Sequence, residues 1–129
     1  MKLSRKFVNA YTKIDDIDTK YLTDEKELLK LANSGRFFSE VMKSSFATPN
    51  VLMIGAKSED FRARIFSMWN KNTTLDILSI GAKDDNLIVR RYAMQNENAD
   101  TKILMIGAKD ENYTVRESVM RNKNASTKI

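Results

Sequence analysis

The tetrapeptide Ile-Gly-Ala-Lys occurs three times, at Ile54–Lys57, Ile80–Lys83 and Ile106–Lys109, each copy 26 residues after the one before. Self-similarity at a fixed period constrains a chain strongly, because every copy has to adopt the same local structure and pack against its neighbours. The register extends well beyond the tetrapeptide. Leu52, Leu78 and Leu104 share a column, as do Met68, Met94 and Met120. Arg64, Arg90 and Arg116 form another; Asn70, Asn96 and Asn122, then Asn72, Asn98 and Asn124, form two more. Val51, Ile77, Ile103 and Ile129 mark the same phase, and no gap is needed to keep it.

Within a copy the apolar spacing is helical. Leu75, Leu78 and Ala82 lie at i, i+3 and i+7, and Ile77 and Ile80 widen the stripe. Lys83-Asp84-Asp85-Asn86 interrupts it and supplies N-cap side chains for a second helix carrying Leu87, Val89, Tyr92, Ala93 and Met94. Asn96-Glu97-Asn98 then ends that helix, since Asn tolerates the left-handed conformation common there. The spacing therefore predicts two short helices in each of residues 51–76, 77–102 and 103–128. Helices of two or three turns are marginal alone in water, so successive pairs have to stack on a shared core. Residues 25–50 read as a degenerate first copy that aligns only with a shift of two or three residues and lacks the Arg and Asn columns. Before it, residues 1–24 predict an N-terminal cap: an amphipathic helix with Phe7, Val8, Tyr11 and Ile14 on one face, then the acidic loop Asp15-Asp16-Ile17-Asp18. All 129 residues are expected to form one domain.

The second-helix segments Ala63–Asn70, Val89–Asn96 and Val115–Asn122 read ARIFSMWN, VRRYAMQN and VRESVMRN. They resemble the V-R-x-x-V-A-x-N signature of leucine-rich repeat variants, within the wider HEAT-like and armadillo-like α-solenoid group. The preceding L-x-x-x-A segments, Leu52–Ala56, Leu78–Ala82 and Leu104–Ala108, fit the same pattern. The resemblance implies an all-α chain wound as a short right-handed α-solenoid of two-helix repeats. This sequence departs from the family in its turn, where Lys71, Glu97 and Lys123 stand instead of Pro and only Thr48-Pro49 keeps a trace. The iron–sulfur module of some relatives is excluded by the absence of Cys. Likeness of fold leaves function open.

Chemistry is narrowed by what the chain lacks. Without Cys there is no disulfide, thiolate metal site or Cys nucleophile, and without His the commonest general base and zinc ligand are missing. No apolar run reaches the roughly 18 residues of a membrane span, and the start has no signal-peptide apolar segment. A cytoplasmic protein with no cofactor, no metal and no catalytic residue is expected, outside any membrane. Its richness in Lys, Asn and Ile suits an AT-rich bacterial or phage genome. The net charge of +5 is dispersed rather than gathered into the basic block of a dedicated phosphate binder.

Several columns are candidates for contact with a partner. Arg64, Arg90 and Arg116 can present guanidinium groups to phosphates or carboxylates, or can form a structural ladder with Asp84 and Asp110. With Ser58 in place of the first acid, Arg64 is expected to be the one most available. Lys57, Lys83 and Lys109 either stabilise the C-terminal ends of the first helices or face phosphate. The Asn columns either bind turn backbone or read base edges. The paired acids Glu59-Asp60, Asp84-Asp85 and Asp110-Glu111 serve as caps more cheaply than as a cation site. Gly55, Gly81 and Gly107, inside first helices, indicate an approach too close for a Cβ, by a neighbouring helix or a ligand. Trp69 stands where the sister copies have Gln95 and Arg121; it is either a partner contact or is buried near Phe46. The end at Ile129 has no polar capping helix, which raises self-association through that end. The reading that best accommodates these features is a non-enzymatic protein–protein interaction module, with nucleic-acid binding by the Arg and Lys columns as the alternative.

Overall fold

The computed structural model describes residues 23–35 and 38–125. The cap helix and acidic loop expected over residues 1–24 therefore lie outside the described residues, apart from their last two positions, as does Ile129. Among the described residues there are eight α-helices and no strand: α1 Glu25–Ser34, α2 Phe38–Lys43, α3 Pro49–Ala56, α4 Phe61–Trp69, α5 Leu75–Gly81, α6 Leu87–Gln95, α7 Thr101–Ala108 and α8 Tyr113–Arg121. They follow one another as four pairs. The first members pack in one row, α1 on α3 on α5 on α7, and the second members in another, α2 on α4 on α6 on α8.

Turn chemistry sets the boundaries. Asp60, Asn86 and Asn112 cap α4, α6 and α8, each side chain accepting from the backbone N–H two residues on, which satisfies a helix-start donor that would otherwise lack a partner. Asp100 caps α7 by accepting from the N–H of Ile103, three residues on, and Pro49 opens α3 at a position where its missing N–H removes nothing. The C-caps are not as expected. Asn70, Asn96 and Asn122 have φ of −65°, −67° and −75° and ψ of 135°, 130° and 129°, so they are extended rather than left-handed. Their use is in the side chain. Asn96 Nδ2 donates to the carbonyls of Met68 and Asn70 at 2.7 and 3.1 Å, in the preceding helix-pair turn. Asn122 does the same to Met94 and Asn96, and Asn70 to Met42 and Ser44. Asn72, Asn98 and Asn124 form a parallel set on the carbonyls of residues 45 and 47, 71 and 73, and 97 and 99. The Asn columns are thus backbone ligatures between successive turns.

These bonds also correct the alignment of the degenerate segment. Residues 42, 44, 45 and 47 accept in the same 26-residue register as residues 68, 70, 71 and 73, so no shift is needed from Met42 onward. The bonds accept at backbone oxygen, which Ser44 and Ser45 supply as well as Asn and Lys do.

The core is one continuous cluster holding Leu28, Val41, Met42, Leu52, Met68, Leu78, Met94, Leu104, Val115 and Val119, all fully buried. Leu75 and Leu87, included in the apolar stripes, are instead exposed at the first positions of α5 and α6. The helical glycines have a packing cause. A Cβ on Gly55, Gly81 or Gly107 would collide with the thioether of Met42, Met68 or Met94 respectively, each from the preceding pair. A methionine on a helix of the neighbouring pair is a close neighbour at each, joined by Ser67 at Gly55 and Val119 at Gly107. Of the neighbouring helix and the ligand that the sequence left open, it is therefore the helix that approaches.

Candidate functional site

The guanidinium column is engaged within the fold. Arg64 Nε lies 2.9 Å from Asp84 Oδ2, and its Nη1 donates to the carbonyls of Ser58 and Glu59. Arg90 repeats this one step on, with Nε and Nη2 at 2.8 and 3.2 Å from the two carboxylate oxygens of Asp110 and Nη1 on the carbonyls of Asp84 and Asp85. Each arginine reaches forward, 20 residues along the chain, into the acidic turn of the next pair. Arg64 is therefore not the available one: the Ser58 that lacks an acid would have served a residue before it. Arg116 donates to the carbonyl of Asp110 and makes no carboxylate pair among the described residues. With side-chain exposures of 12–19% for Arg64 and Arg90, both are poorly placed to meet a phosphate backbone.

Lys57, Lys83 and Lys109 are exposed at or just after the ends of α3, α5 and α7. There they oppose the negative end of the helix dipole. Lys57 also borders a depression of about 640 Å³ with Gly35, Ile54 and Glu59. The acidic pairs do not converge, and no cluster among the described residues has the ligands for a metal ion.

An aromatic groove is the feature that the fold leaves open. It runs across the C-terminal ends of α2, α4 and α6, encloses about 580 Å³, and is lined by Lys43, Ser45, Trp69, Asn70, Lys71, Tyr92, Gln95, Asn96 and Glu97. Trp69, the last residue of α4, is 53% exposed. Its indole stands edge-on to Phe66, with ring centroids 6.4 Å apart. Lys43 Nζ lies 4.5 Å from the centre of the Phe66 ring, a cation–π contact. Phe46, the expected neighbour of a buried Trp69, is itself 54% exposed. The polar groups beneath are already satisfied, since Asn70 and Asn96 hold the carbonyls at the ends of α2 and α4. A ligand would thus meet an aromatic wall with cationic Lys43 and Lys71 and anionic Glu97 in the lining.

Sequence reasoning singled out Trp69 but not the groove, whose other walls come from α2 and α6. Tyr92 and Phe66 occupy one column, and Trp69 and Lys43 another, 26 residues apart; that second column extends into the segment misaligned above. No helix among the described residues is long and apolar enough to cross a membrane. Compared with family models, with curated proteins and with solved structures, the chain matches none.

Proposed function

We propose that the chain is a non-enzymatic protein-binding module, a short α-solenoid of 26-residue helix pairs that takes a segment of a partner protein into the groove around Trp69. The carrying observation is the half-exposed indole, standing against Phe66 in a groove that Tyr92 also lines and whose Asn70 and Asn96 are already bonded to backbone carbonyls. Trp is enriched among the few residues that dominate binding energy, because a pre-positioned ring buries much surface at little conformational cost. Lys43, Lys71 and Glu97 in the lining favour a partner segment of mixed charge around an apolar anchor. The absence of Cys suits a reducing, cytoplasmic setting. The engagement of Arg64 and Arg90 with Asp84 and Asp110 weighs against the phosphate-tracking alternative.

Trp69 is the only Trp in the chain, so its emission reports directly on the groove. Peptides selected on the immobilised full chain from a random display library are expected to shift that emission. Trp69→Ala should weaken them by roughly thirtyfold, about 2 kcal/mol. Selected peptides that bind Trp69→Ala as tightly as the parent would overturn the reading. So would single-stranded or duplex nucleic acid that binds with a steep inverse dependence on salt while no peptide does.

A further inference from the structure

Along the chain one helix pair receives the next through a recurring set of contacts, the methionine and asparagine ones three times and the arginine one twice. The thioethers of Met42, Met68 and Met94 sit against Gly55, Gly81 and Gly107. Arg64 and Arg90 reach forward to Asp84 and Asp110. The end of each second helix offers two carbonyls to the Asn that lies 15 positions after that glycine. The pair α7–α8 carries the giving half of this set. Met120, in the column of three fully buried methionines, is 72% exposed. Arg116, in the column of the two ion-paired arginines, has its Nη1 on a backbone carbonyl and no carboxylate among the described residues.

We propose that the outer face of α8 is a docking surface for a helix–turn segment of a partner protein bearing a glycine, an aspartate three residues later and an asparagine fifteen residues after the glycine. The glycine would admit Met120, the aspartate would take Arg116 bidentately, and the asparagine would cap the end of α8. Charge supports a carboxylate in the occupant at one point: Arg121 is paired with Glu117 at 3.0 Å and Lys123 with Glu97 at 3.6 Å, which leaves Arg116 as the exposed cation of α8 without a carboxylate among the described residues. A second copy of this chain is a poorer occupant. Its own three glycine notches are filled by Met42, Met68 and Met94, and Leu29 and Ala32 stand where a further glycine and aspartate would lie, 26 residues before Gly55 and Ser58. The surface is separate from the Trp69 groove and does not depend on it.

The test uses the isotopically labelled full chain and a synthetic peptide reproducing residues Leu75–Asn98, which carries Gly81, Asp84 and Asn96. Amide resonances of α8 and the turn at Asn122 should shift at millimolar peptide, with those around Trp69 unmoved. Met120→Lys, a change at an exposed position, should weaken the peptide at least fivefold, and so should Gly81→Leu with Asp84→Ala in the peptide. The proposal is overturned if α8 does not respond at millimolar peptide or if the altered peptide or altered chain responds equally. Concentration-dependent dimerisation of the full chain, abolished by Met120→Lys, would overturn it in favour of a second copy.

Discussion

Asn96 is a small side chain with a disproportionate share of the hydrogen bonding. Its amide nitrogen holds two carbonyls of the preceding turn, and its oxygen accepts from the N–H of Asn98 at 2.8 Å, all with the residue 6% exposed. Truncation leaves two buried acceptors and one donor to find water, for which a loss of about 2–3 kcal/mol is expected. Asn96→Asp should cost more than Asn96→Ala, because it sets a carboxylate against two carbonyl oxygens. Asn98→Ala should cost less, since Asn98 is exposed. Urea unfolding with unchanged m-values checks the order. The forward arginine pairs invite a second measurement. Asp84→Ala strips the carboxylate from a guanidinium that is 19% exposed, and also removes the acceptor of the Asn86 N–H. A loss of about 2–4 kcal/mol is expected, smaller in the double variant that also replaces Arg64 with Met. That pairing direction was not legible beforehand. Asp84 lies six residues before Arg90 and twenty after Arg64, and a 26-residue period is consistent with either partner.

At the scale of the helix, the first members α3, α5 and α7 each contain a glycine, which intrinsic propensity disfavours. Gly81→Ala should stabilise an isolated helix by roughly 1 kcal/mol. In this fold the new methyl meets the buried Met68 thioether, so the variant is expected to be destabilised instead. Met68→Ala alone opens a cavity costing about 2–5 kcal/mol. The two changes together should fall short of their sum by at least about 1 kcal/mol, the signature of direct contact in a double-mutant cycle. Helix pairing was readable because apolar periodicity and acidic turns recur together in each copy. The role of Gly81 was readable only as a demand for closeness, since a missing Cβ does not name what approaches. Residues 38–50 were harder still. Phe38 and Ser58 stand in the columns of Arg64 and Asp84, and the carbonyls that Asn70 and Asn72 grip carry no residue signature at all. The left-handed Asn caps failed for a related reason: a side chain reaching back to an earlier turn fixes the residue by its partner, and an extended backbone serves that reach.

For the whole molecule the governing fact is order. Substantial helix packing among the described residues joins members of one pair or of successive pairs. Stability in such a chain is close to a sum of each pair's own terms and those of its interfaces, and opening starts where an interface is missing. The α7–α8 pair is flanked by α5–α6 on one side and, among the described residues, by nothing on the other. Native-state amide exchange should therefore show α8 opening at a lower free energy than α4 and α6, whose amides should approach the global value. The methionine column turns that gradient into a contrast between identical substitutions. Met94→Lys puts an ammonium into a fully buried position against Gly107 and should unfold the α7–α8 end or the whole chain. Met120→Lys, at the same phase 26 residues on but exposed, should leave the midpoint of urea unfolding unchanged within about 0.5 kcal/mol. Equal effects of the two would mean that the end of α8 is covered in solution, and protection of α8 equal to that of α4 would point the same way.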